Sequence, residues 1–126
     1  MSDQCRLFEA GPDPFARMWK VQFRWLQTGI SIRHADTVDV KFFVTPDGGS
    51  PEEKVIALPH EALLELFTRR GHKLSDPACL RIAAAHVKHM IETFEDMDKT
   101  LVTVSPEEMA VYDEQVNATS ASLPKR

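Results

Sequence analysis

His86 and His89 stand one helical turn apart in a long amphipathic run, so their imidazoles can point to the same side. Two imidazoles at that spacing can share a metal ion, but a zinc or iron site needs at least a third protein ligand. The donors elsewhere in the chain are His60, His34, Asp36 and His72, and no motif ties any of them to the pair. Packing explains the pair as well, with both rings at the edge of a core, half buried and hydrogen-bonded. A metal site or an enzyme here would need a cluster of His60, His86 and His89. The sequence calls for no cofactor.

His60 beside Glu61 is a second constellation, placed where a strand gives way to a helix. A histidine with a carboxylate next to it is the raw material of general-base catalysis. Position 64 is leucine, so the two-histidine helix of zinc proteases is not formed. No nucleophile elbow and no catalytic cysteine context accompany it. A helix start whose His60 ring packs on Phe67 accounts for the same residues.

Arg69, Arg70 and Lys73 form a basic turn around Gly71 between two helical stretches, which invites a helix-turn-helix reading. The helix that follows argues against it. Its exposed side and its end carry Arg81, Lys88 and Lys99 against Glu92, Glu95, Asp96 and Asp98, so a phosphate backbone would meet as much repulsion as attraction. Cations at a helix end are also what the helix dipole favours. With a formal net charge of -4, the chain has no general attraction for nucleic acid or for an anionic membrane.

Cys5 and Cys79 share no Cys-x-x-Cys spacing and read as free thiols. The first residues lack a positive-then-apolar signal, and no apolar run approaches the roughly 20 residues that cross a bilayer, so a cytoplasmic location without membrane contact is expected. Gly48-Gly49 lies between strands and is a hairpin tip, not a phosphate loop.

The elements that must position these residues follow from hydrophobic period. Trp19, Val21, Phe23 and Trp25 alternate with polar residues, which predicts a strand with bulky aromatics on one face. Shorter alternations at 30–34 and 38–44, and a compact apolar run at 54–58, complete a meander of about four antiparallel strands, because each link is too short for a helical crossover. Pro59 opens a helix over 60–70 with Leu63, Leu66 and Phe67 inside and Gly71 at its end. Ser75 or Asp76 caps a longer helix running to about Met97. Its apolar arc is Leu80, Ala83, Ala84, Val87, Met90, Ile91, Phe94 and Met97, with a shoulder of Ile82, His86, His89 and Thr93. A final strand over 100–104 and a short helix capped by Ser105 and Glu108 end the ordered chain.

The expectation is an α+β fold: an irregular arm over 1–14, one domain over 15–116, and a flexible tail over 117–126. The aromatic load of the strands is heavy for a sheet under a few short helices. Phe43 alternates away from Phe42 and points to the face opposite the helices. Trp19, Trp25, Phe43, Ile82, His86 and His89 are therefore candidate interface residues. The functional expectation is a small non-enzymatic interaction or regulatory module, paired with itself as a homodimer or with another protein.

Overall fold

The computed structural model describes residues 7–29, 37–71 and 75–122, with backbone alone at 27–29 and 115–122. The run at 30–34, the donors His34, Asp36 and His72, the cation Lys73, Cys5 and residues 123–126 lie outside them.

The fold is α+β, and the described strands form a five-stranded sheet. β1 (Leu7–Ala10), β2 (Trp19–Gly29), β3 (Thr37–Pro46) and β4 (Glu52–Pro59) make an antiparallel meander. Then come helices α1 (His60–Arg69) and α2 (Asp76–Thr93), strand β5 (Leu101–Thr103) and helix α3 (Pro106–Ser122). β5 joins the sheet parallel to β4, with Ile56 opposite Val102. Parallel neighbours need a crossover, and the α1–α2 pair supplies it. The helices bury their apolar sides against one face of the sheet, around Phe42, Ile56, Leu58, Leu63, Met90 and Ile91.

β3 shows why these residues make this sheet. Its even positions from Val38 to Val44 are buried and its odd positions are partly exposed, which is the period of two that a half-covered sheet imposes. β2 departs from that period. Phe23 pairs with Phe42 and Trp25 with Lys41, so Arg24 is an extra residue in a bulge. A bulge re-aims the side chains that follow it. Trp25 shares the outer face with Lys41, whose ammonium lies 5.7 Å from the Trp25 ring centroid, and Leu26 takes the inward place against the core. The expectation that Trp25 shares a face with Trp19, Val21 and Phe23 is thereby corrected.

Residues 7–10, expected to be irregular, are ordered as β1 by pairing with Gln22 through Trp19. The local sequence is too short to show a period, and the neighbouring strand supplies the order. α1 starts after Pro59 at the cap and closes through Arg70 and Gly71, whose N–H groups donate to Leu66 O at 3.2 Å and Thr68 O at 3.1 Å. Gly71 has φ +71°, a conformation that glycine adopts without the strain of a Cβ.

α2 begins with the Ser75 hydroxyl accepting from the Ala78 N–H at 3.3 Å. It stops at Thr93, short of Met97, because Phe94 turns left-handed at φ 61°. The Thr93 hydroxyl donates to His89 O at 2.8 Å and accepts from the Glu95 N–H at 3.3 Å. The Phe94 ring sits edge-on to Phe15, centroids 5.3 Å apart, and near Trp19. Those aromatic contacts hold a conformation that a non-glycine residue otherwise avoids. At α3, Ser105 and Glu108 form a reciprocal capping box with both bonds at 3.1 Å. The helix then continues past Val116 to Ser122.

Candidate functional site

The histidine pair is divided by its surroundings. His86 is 3% exposed, and its Nδ1 meets the Tyr112 hydroxyl of α3 at 2.8 Å. Its Nε2 is buried with no hydrogen-bond partner. Burial lowers the His86 pKa and the neighbouring His89 adds to that, while Glu108, Asp96 and Glu95 oppose it. His89 is half exposed, its ring 6.3 Å from that of His86 and its Nε2 3.5 Å from Glu95 Oε1. Among the described residues no three His, Cys, Asp or Glu side chains are grouped to hold a metal ion, so His60 does not join His86 and His89 in a site. Of the shoulder that the helix period placed at the margin, Ile82 and His86 are core, with Tyr112 of α3 packed on His86, while His89 is half exposed and Thr93 exposed.

His60 opens α1 half buried, and Glu61 is exposed in the first turn, where a carboxylate complements the helix dipole. Neither side chain has a hydrogen bond or ion pair among the described residues. Arg69 is exposed, but Arg70 turns back onto α3, its Nε 3.1 Å from Asp113 Oδ2 and its Nη2 3.7 Å from Glu114 Oε2. One cation of the basic turn is thus engaged within the chain. Cys79 is buried, and burial with nearby Asp76 pushes its thiol up to about 11, far from a reactive thiolate. No helix among the described residues is long and apolar enough to cross a membrane.

Of the residues expected at an interface, Trp19, Ile82 and His86 are inside the chain. Trp19 is held there by Asp13, to which its Nε1 donates at 2.9 Å. Trp25 and Phe43 are brought together on the outer face of the sheet, opposite the helices. Trp25 is 36% exposed, and Leu7 and Leu101 are more open still. The Arg24 guanidinium carbon lies 5.3 Å from the Phe43 ring centroid, and the Lys41 ammonium lies 5.5 Å from the same centroid. Lys41 also pairs with Glu53 at 3.0 Å. Register places Lys20 and Glu9 opposite each other, and Asp39 on the same face of β3 as Lys41. Among the described residues the outer face thus carries three cations, Lys20, Arg24 and Lys41, and three carboxylates, Glu9, Asp39 and Glu53, around Trp25 and Phe43.

Two polar residues carry much of the framework without having been singled out. Asp13 is buried and accepts from the backbone N–H groups of Phe15 and Arg17, from Arg17 Nε and from Trp19 Nε1. Burial raises its pKa, but the bonds from Trp19, Arg17 and Phe15 outweigh it and hold the carboxyl at about 2. Lys54 is 3% exposed and donates to Met97 O at 2.6 Å and Lys99 O at 2.7 Å, tying the turn after α2 to β4. Burial lowers its pKa against the pull of Glu52 and Asp98. The alternation of β4 held a signal for this, since position 54 has the parity of Ile56 and Leu58.

Compared with protein families, curated proteins and solved structures, the chain finds no match in any of the three.

Proposed function

We propose that this chain is a non-enzymatic interaction module that pairs with itself through the outer face of its sheet. The observation that carries the reading is the β2 bulge. It delivers Trp25 outward beside Phe43, where alternation alone would have turned it into the core. Bulges recur where a side chain must be re-aimed, and an exposed tryptophan next to a phenylalanine is an anchor of the kind that binding hot spots use. Aromatic residues concentrate at interface centres with charges at the rim, as on this face.

Catalysis has less support, because His60, His86 and His89 do not gather and His86 is closed off by Tyr112. Nucleic acid would find Lys41 paired with Glu53 on the sheet and Arg70 engaged by α3. Sedimentation velocity at tens of micromolar tests the proposal. The wild type is expected to run as a dimer and Phe43→Asp as a folded monomer. A wild-type monomer, or a dimer indifferent to Phe43→Asp, overturns it.

A further inference from the structure

β3 is the middle strand of the sheet, and Phe43 on its outer face is flanked by opposite charges. Glu53 lies directly across from Phe43 on β4. Arg24, the extra residue of the β2 bulge, lies on the other side with its guanidinium carbon 5.3 Å from the ring centroid. Gln22 is the β2 residue directly opposite Phe43 and Arg24 lies two residues along that strand, so the two charges flank Phe43 from opposite sides. A twofold axis lying over Phe43 in the plane between two stacked sheets, and parallel to β3, sets the β2 side of one copy against the β4 side of the other.

We infer that the outer face closes on a second copy of itself about such an axis, with Arg24 of each protomer against Glu53 of the other. The inference rests on the self-association reading above and adds its register. The same patch is presented by both copies, as a closed pair requires. The two Phe43 rings meet at the centre, two reciprocal Arg–Glu pairs flank them, and Trp25 adds apolar surface beside each pair. Lys41 already holds one side of Glu53 within the protomer, yet the Glu53 side chain remains 44% exposed and has room for a guanidinium. Arginine suits that place, because its planar fork pairs with a carboxylate while its face lies on an aromatic ring. Such pairs set register and exclude wrong partners more than they add affinity.

The same aromatics and cations could form a stacking platform for single-stranded nucleic acid. The interspersed Glu9, Asp39 and Glu53 disfavour that occupant, since a phosphate chain meets repulsion where a copy of this face meets complement.

The test is a charge swap read by sedimentation velocity and by native mass spectrometry of mass-tagged chains. Arg24→Glu alone sets two carboxylates against each other twice, and Glu53→Arg alone does the same with guanidiniums. Each is expected to weaken self-association by about tenfold or more. An equimolar mixture of the two variants, and the double variant R24E/E53R, are expected to pair again, the mixture as a heterodimer. Far-ultraviolet circular dichroism spectra coinciding with wild type certify the fold, since loss of the partner by itself lowers the melting temperature. The neutral variants R24Q and E53Q, each weakening pairing by a few-fold, replace a reversal that does not fold.

If the wild type pairs and the single reversals pair as well, or the mixture fails to recombine, the register is overturned while self-association stands. If the wild type is a monomer, both fall. If it captures a fluorescent oligothymidine at low salt and does not pair, nucleic acid is the occupant and the inference is overturned.

Discussion

The Tyr112 hydroxyl lies 2.8 Å from His86 Nδ1 and is the only hydrogen-bond partner of that buried ring among the described residues. It joins α3 to α2 over a surface that helical period alone had left at the margin of the core.

A contrast between single and double variants follows from that bond. Tyr112→Phe leaves both ring nitrogens of His86 without partners and is expected to cost about 1–2 kcal/mol. Adding His86→Leu removes the stranded nitrogens, and the double variant is expected to be more stable than Tyr112→Phe alone. Urea unfolding of the three chains checks the order. A double variant weaker than the single would show that Nε2 has a partner of its own.

The same ring gives a pH dependence with a fixed sign. The folded-state pKa of His86 is below its ordinary 6.5. The unfolded chain therefore takes up a proton that the folded chain refuses, and stability falls as pH drops below about 6.5 until the lowered folded value is passed. Thermal melts between neutral and mildly acidic pH should show the decline, and His86→Leu should flatten it. An equal slope in both chains would assign the effect elsewhere.

Asp13 has its own window at lower pH. Its carboxyl is held at about 2 against an ordinary 3.8, so the stability it contributes is present above 3.8 and is lost as pH falls towards 2. Asp13→Asn keeps an acceptor for the Trp19 N–H but loses the charge beside Arg17. Asp13→Ala strands every donor of that loop, and it is expected to lower the melting temperature more than Asp13→Asn does. Near-ultraviolet circular dichroism reports the packing of Trp19 directly. An unchanged signal in Asp13→Ala would refute the role of Asp13 as the anchor of Trp19.

Lys54 closes the turn that follows α2. Lys54→Met fills the space but leaves Met97 O and Lys99 O without their buried donor, for an expected loss of about 2–3 kcal/mol. Hydrogen exchange localises the effect. The Val55 amide, bonded to Thr100 O at 2.7 Å, and the Val104 amide, bonded to Ala57 O, should exchange faster while the β2–β3 amides hold. Uniform acceleration across the sheet would mean that Lys54 supports the whole core and not that turn.

How much of this was legible depends on how local each cause is. The bounds of α1, the capped start of α3, the strand parity of β3 and the outward turn of Phe43 follow from residues within a few positions of one another, whereas the run of α3 past Val116, where a flexible tail was expected, does not. The bulge at Arg24 has no local signature, because Trp19 to Trp25 alternates without a break and the extra residue shows only against the register of β3. The end of α2 was hidden for a similar reason. Phe94 continues the apolar arc on paper, but Phe15 and Trp19, many residues upstream, draw it into a left-handed turn. Residues 7–10 became a strand through β2, and His86 became core through α3. Each of those outcomes was decided by a neighbour distant in sequence.

The sheet also governs how large an assembly this chain can make. Its described outer strands are short, four residues in β1 and three in β5, and offer little backbone for another chain to extend edge to edge. In the pairing proposed above, a face related to its copy by a twofold axis is consumed when the pair forms. Blunt margins and a self-consuming face would together make two the end point of that pairing, so raising the concentration is expected to fill the dimer and not to draw the chain into filaments.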